Sequence, residues 1–196
     1  MQTVTLPMTA LPPLQHMSRF TRISVVPMWK DTTVATNGDG QEEAYSIAPD
    51  GFVWSYTIDA ERGRTGRLIT TGLRANTFAL GKSPDGRNIV IAGDGAMVRF
   101  VVETGDPKQR WSAPRAVSFP PAQQKVAVVE KLFIQILAGN LFVRVLSRHP
   151  SAIGEEAYQF WEGIWTGTNL VFSHSPLKIE HQKNIWLQKL FTSNQF

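Results

Sequence analysis

The sequence predicts an all-β fold, and three observations carry that expectation. The first is a repeated turn signal. Pro49-Asp50-Gly51, Gly93-Asp94-Gly95, Ala138-Gly139-Asn140 and Gln182-Lys183-Asn184 recur so that Gly51, Gly95, Asn140 and Asn184 follow one another at steps of 44, 45 and 44 residues. Gly and Asn most readily take the positive φ that a two-residue hairpin turn requires. The second is the pair of apolar runs that flanks each turn, such as Leu132–Leu137 before Asn140 and Leu141–Val145 after it. The third is the aromatic content: 11 Phe, 6 Trp and 3 Tyr in 196 residues supply the large surfaces that many short strands need to bury.

Taken in order, the runs resolve into four units near residues 20–63, 64–108, 109–154 and 155–196, preceded by an extended N-terminal segment, 1–19. In the first unit, Ile23–Val26 and Thr32–Thr36 precede the hairpin at 44–58. In the second, Leu68–Thr71 and Asn76–Leu80 precede the turn Ser83-Pro84-Asp85-Gly86 and the hairpin at 88–103. The third opens with Arg115–Phe119 and Lys125–Val129, the fourth with Gly163–Trp165 and Asn169–Phe172. β-Branched and aromatic residues fill these runs, with Gly, Pro, Asp, Asn or Ser between them. The best helix candidate, Ile153 to Trp161, is confined by Pro150 and Gly163 and reads as a loop or a single turn. Four short antiparallel strands repeated every 40–50 residues are the signature of a β-propeller blade. The expectation is therefore a propeller of about four four-stranded antiparallel blades. Open ends would leave strand edges unpaired, so it closes in the monomer or is completed in a symmetric homo-oligomer.

Composition narrows the function classes. Hydrophobic residues make up 42% and charged residues 18%, as in a folded globular protein. The absence of cysteine excludes disulfides, zinc–thiolate centres and thiol nucleophiles. The net charge is +4, but Lys and Arg are dispersed, which favours a solvated surface over a nucleic-acid interface. No run approaches the roughly 18 apolar residues of a membrane helix, so no membrane insertion is expected. Met1 to Met17 carries no Lys or Arg and no continuous apolar stretch, unlike a secretory signal. The location is left open between the cytoplasm, export by a route that needs no such signal, and a signal already cut away.

Catalytic constellations are missing from the sequence, and an enzyme is not expected. The Gly-x-Ser-x-Gly elbow and phosphate-binding Gly-rich loops are absent. The histidines, His16, His149, His174 and His181, do not assemble three metal ligands locally. Asn37-Gly38-Asp39-Gly40 offers oxygen ligands but lacks the later Glu of an EF-hand loop, and reads as a turn. Glu42-Glu43 and Glu155-Glu156 are neighbours that point to opposite faces of a strand, so neither is an acid/base couple. No cofactor and no metal are expected.

The third unit carries a family likeness. Lys125–Val129 followed by Leu132–Leu137, Ala138-Gly139-Asn140 and Leu141-Phe142-Val143-Arg144 resembles the hemopexin run: a small-residue strand, an aromatic strand, a Gly-Asp or Gly-Asn turn, and a strand ending in Arg. The Asp-Gly turns and Trp54 are similar to tectonin and fucose-lectin propellers. The hemopexin Asp-Ala of the inner strand is absent from all four units, and no family site residue is carried over. The resemblance implies a small propeller. Large residues recur at Trp29, Leu73, Phe119 and Trp165, and read as packing between blades.

What remains is surface recognition. Arg99 and Arg144 stand 45 residues apart on outgoing hairpin strands, beside the aromatic residues Trp54, Tyr56, Phe100 and Trp186. Rings that stack on a sugar face, with arginines that donate paired hydrogen bonds, are how a repeat lectin builds several similar pockets. A half-exposed strand with hydrophobic-in, polar-out alternation explains the same column without a ligand. The leading expectation is a non-catalytic, carbohydrate-binding module; a protein-interaction scaffold comes second and a propeller hydrolase third.

Overall fold

The computed structural model describes residues 29–59, 64–106, 108–117 and 127–177, all within the compact unit Val25–Leu177. These residues are all-β apart from one 3₁₀ turn, Gly154–Ala157. The strands are β1 (Lys30–Thr36), β2 (Glu42–Ile47), β3 (Phe52–Asp59), β4 (Arg64–Arg74), β5 (Thr77–Lys82), β6 (Asn88–Asp94), β7 (Met97–Val102), β8 (Arg115–Val117), β9 (Val128–Leu137), β10 (Asn140–Arg148), β11 (Tyr158–Trp165) and β12 (Leu170–Phe172). They form three four-stranded sheets, β1-β2-β3-β4, β5-β6-β7-β8 and β9-β10-β11-β12. All pairings are antiparallel and join neighbours in sequence.

Turn chemistry decides where the chain reverses. Pro49-Asp50-Gly51 and Pro84-Asp85-Gly86 make the same turn. Gly51 and Gly86 both have φ 81°, and their amides donate to Ala48 and Ser83 carbonyls at 2.9 Å in each case. Proline presets the first central residue, and glycine takes the left-handed one that follows. The β9–β10 turn is tighter, with Leu137 paired to Asn140 across Ala138 (φ 49°) and Gly139 (φ 78°). Two positive-φ central residues suit the right-handed twist of a hairpin. The left-handed residues here are thus Ala138 and Gly139, and Asn140 already belongs to the strand.

Alternation along β6 explains the stacking. Ile89 and Ile91 point to one side of the middle sheet, with Val98 and Phe100, and pack on Val129, Leu141, Val143, Trp161 and Phe172 of the third sheet. Val90, Ala92 and Val101 point to the other side and meet Tyr45, Ile47, Val53 and Leu73 of the first. A strand buried on both faces reads as a continuous apolar run, which is what Ile89-Val90-Ile91-Ala92 is. Close approach is enforced at one point: Val129 N donates to Gly95 O at 2.7 Å, a backbone bond between β9 and the β6–β7 turn.

The sheets do not keep the phase of the sequence repeat. They span 30–74, 77–117 and 128–172, each crossing a border between expected units. Gly51 and Gly95 turn between second and third strands, whereas the Ala138-Gly139 turn joins the first and second strands of its sheet. The repeat predicts two strands in Lys125–Val129 and Leu132–Leu137, yet Val128 to Leu137 is one strand. Only Glu130 and Lys131 separate the two runs, and neither is a turn residue. The spare residue is absorbed as a bulge, where Leu146 pairs with Lys131 and Ser147 with Val129. The segment 1–19, Ile23–Val26, Phe119 and the fourth hairpin around Asn184 lie outside the described residues.

Candidate functional site

The first strands of the three sheets, β1, β5 and β9, line a common cavity of about 330 Å³. β1 contributes Asp31, Thr32 and Thr33; β5 contributes Thr77, Phe78, Ala79 and Leu80; β9 contributes Lys131, Leu132 and Phe133. Phe78, Thr77 and Leu132 are buried, while Asp31, Thr32, Thr33 and Lys131 are exposed and Phe133 is half-buried. The cavity therefore has an apolar floor, a row of hydroxyls and one charge of each sign at its mouth.

Asp31 sits there at a cost. Lys30 pairs with Ile47 and Thr33 with Tyr45, so β1 carries one residue more than β2 between these pairs. Asp31 has φ 53°, a conformation that glycine usually fills in such bulges. Ser46 pins the bulge from β2. Its hydroxyl donates to Lys30 O at 3.0 Å, so in the 2.9 Å contact with Thr32 the Thr32 hydroxyl is the donor. Non-glycine residues in this region store about 1–3 kcal/mol each and cluster at ligand sites.

The sequence-predicted residues fall on three different faces. Trp54 and Tyr56 lie on β3, opposite Val53, which joins the core shared with the middle sheet; both rings therefore face away from that sheet and are half-buried. Trp54 Nε1 donates to Asp50 Oδ2 at 2.9 Å, and Tyr56 meets Trp29 edge-on at 6.1 Å. Arg99 is on the face of β7 that carries Val101 toward the first sheet, and its guanidinium reaches Met97 Sδ at 3.5 Å. Arg144 is on the far side of the third sheet, opposite Val143, and its Nε donates to Glu162 Oε2 at 2.8 Å. Phe100 is fully buried with its ring 5.1 Å from that of Trp165; a core ring offers no surface to a ligand, which corrects its expected role. Trp186 lies outside the described residues. The two arginines are not equivalent, because the third hairpin is shifted by one strand within its sheet.

A second polar constellation, missed in the sequence, joins the first two sheets. Arg110 Nη2 lies 2.8 Å from Glu43 Oε1 and 2.8 Å from Glu103 Oε1. Glu103 Oε2 accepts from Gly38 N and Asn88 N, each at 3.1 Å. The Tyr45 hydroxyl donates to Glu43 Oε2 and accepts from Asn88 Nδ2 at 2.9 Å. Glu43 is only 1% exposed, and burial pushes its carboxyl above the ordinary range against the pull of Tyr45 and Arg110. Burial and the Glu43 charge push the Tyr45 hydroxyl up as well. Glu42, its neighbour, is exposed, as alternation along a strand requires. In the sequence Glu43 stands beside Glu42 at the polar start of an apolar run, and nothing there marks it as the buried one of the pair.

Asn37-Gly38-Asp39-Gly40 forms a turn in which Asn37 Oδ1 accepts from the amides of Asp39 and Gln41, both at 2.9 Å. Among the described residues no three His, Cys, Asp or Glu side chains converge as a metal site, and no helix is long and apolar enough to cross a membrane. No protein-family model matches this chain, and no curated protein matches it.

Proposed function

We propose that the three sheets are consecutive blades of a small β-propeller, and that the chain is a non-catalytic recognition module whose carbohydrate ligand occupies the cavity between the blades' first strands. Each sheet is a meander of consecutive strands, and the middle one is buried on both faces as a blade between neighbours must be. The observation that carries the functional reading is the cavity itself. A carboxylate accepts from neighbouring sugar hydroxyls, a lysine donates and threonines exchange hydrogen bonds with the rest, and the half-buried Phe133 meets the apolar ring face. Its volume of about 330 Å³ is at the small end of ligand sites, suited to a short saccharide. Binding, not hydrolysis, is favoured because the close carboxylates Glu43 and Glu103 are both held by Arg110 and closed off from solvent.

A glycan array probed with the labelled full chain tests this, followed by titration of the best sugar against Asp31→Asn and Lys131→Gln. Each variant is expected to lose about ten- to a hundredfold in affinity, since a charged hydrogen bond contributes about 1.5–3 kcal/mol. Retention of no glycan, or binding that is indifferent to both substitutions, refutes the reading. A protein-interaction scaffold is the second reading, favoured by Ile136 and Leu137, which stand 59% and 46% exposed beside the β9–β10 turn.

A further inference from the structure

The buried cluster between the first and second sheets carries more charge than it neutralises. Two carboxylates, Glu43 and Glu103, share one nitrogen of one guanidinium, Arg110. With both ionised the cluster has one uncompensated negative charge, in a place where Glu43 is 1% and Glu103 4% exposed. Buried charge without a full complement is costly, and a titratable group answers by taking a proton.

The two carboxylates are not equally placed to do so. Glu103 accepts two backbone amides at Oε2, from Gly38 and Asn88, donors that cannot reverse. At its own Oε2, Glu43 faces instead a hydroxyl, that of Tyr45. A hydroxyl can reverse. In the ionised state Asn88 Nδ2 donates to Tyr45, and Tyr45 donates to Glu43. Once Glu43 is protonated its own O–H donates to Tyr45, and the Tyr45 proton turns back toward Asn88. A half-turn of the Asn88 amide then presents Oδ1, which has no hydrogen-bond partner in the ionised arrangement. One proton is taken up and none leaves the chain of three side chains.

We propose that Glu43, Tyr45, Asn88, Arg110 and Glu103 form a proton-operated clasp between the first two sheets, neutral and tightened when Glu43 holds a proton and weakened when Glu43 is ionised. Its parts come from both sides of the junction: Glu43 and Tyr45 from β2, Gly38 from the β1–β2 turn, Asn88 from β6, and Glu103 and Arg110 from the chain that follows β7. The nearby charges Arg87 and Asp85 pair with each other at 3.1 Å. The raised carboxyl of Glu43, driven by burial, agrees with this geometry.

The sign of the effect follows. A folded-state carboxyl above its unfolded value of 4.5 binds a proton in the folded chain first, so stability rises as pH falls toward 4.5 and is lost as pH rises through the folded value. Unfolding of the full chain is measured between pH 7.5 and 4.5 for wild type and Glu43→Gln. The folding constant of wild type relative to the variant is expected to climb on acidification, by up to about tenfold per pH unit within the window. A ratio that is flat or falls overturns the clasp. Carboxyl-carbon NMR of the wild-type chain decides the matter if the variant fails to fold: a Glu43 midpoint above 4.5 is expected, and one at or below it overturns the proposal.

Discussion

Substituting Gly93 by alanine puts the contact between the second and third sheets to a quantitative test. Gly93 lies on β6 on the side that faces β9, and a Cβ there meets Val129 Cγ1 at 2.4 Å and Val129 Cβ at 3.0 Å. Neither strand retreats cheaply, because the Val129 amide is bonded to Gly95 O at 2.7 Å and Asn76 N to Gly93 O at 2.7 Å. Forcing a methyl into such a contact costs about 1–3 kcal/mol. Val129 is 1% exposed, and Val129→Ala removes two buried carbons, about 2 kcal/mol with the cavity it leaves. The double variant removes the closest clash but keeps the β-carbon at position 129, so the relief is partial. Independent costs add to about 3–5 kcal/mol. The pair is expected to fall short of that sum by at least about 1 kcal/mol, as coupled neighbours do. Urea denaturation of the four proteins completes the cycle, with midpoints compared at a common slope. Should Gly93→Ala lie within about 0.5 kcal/mol of wild type, or the two changes add, the sheets are not stacked here as described.

Two further substitutions test the strained backbone. Ala138→Gly is expected to stabilise the chain by about 0.5–1 kcal/mol, the relief of a left-handed alanine less the added freedom of glycine when unfolded; thermal unfolding reads this as a rise of about 1–4 °C. Asp31→Gly is expected to raise the midpoint by a comparable margin while abolishing glycan retention, whereas Asp31→Asn loses affinity without the gain in stability; a glycine variant that binds as wild type removes Asp31 from the site.

Local chemistry was legible in the sequence, and long-range phase was not. The Pro-Asp-Gly turns, the alternation that sends Val53 and Trp54 to opposite faces, and the doubly buried Ile89–Ala92 follow from residue type alone. The grouping of strands into sheets does not. Lys125–Val129 and Leu132–Leu137 read as separate strands because a repeat of 44 or so residues demands it, yet only Glu130, a bulge, and Lys131, a paired strand residue, lie between them. Because Val128–Leu137 is one strand and the first of its sheet, the third hairpin takes another place in that sheet and Arg144 is not equivalent to Arg99. Asp31 was equally hidden. Nothing in Trp29-Lys30-Asp31-Thr32 announces a bulge, since the extra residue is defined by its partner strand and not by its own neighbours. Glu43 was hidden beside Glu42 at the polar start of an apolar run, and its partners Glu103 and Arg110 come from the chain that follows β7.

The two polar constellations sort by what the fold does with them. Around Glu43 each acidic oxygen has a donor, the group is closed to solvent, and its distinctive property is a proton that changes the charge of the junction. Such a cluster holds sheets together; it has no face to offer a ligand. Around Asp31 the relations are reversed. The carboxylate stands exposed at the mouth of a cavity, on a bulge whose conformation glycine would adopt without strain, and the hydroxyl of Ser46 is spent on holding that bulge rather than on the cavity. The position of that carboxylate, beside Thr32 and Thr33 and lining the same cavity as Lys131 and Phe133 from another sheet, is what the proposed binding of hydroxyl-rich ligands rests on.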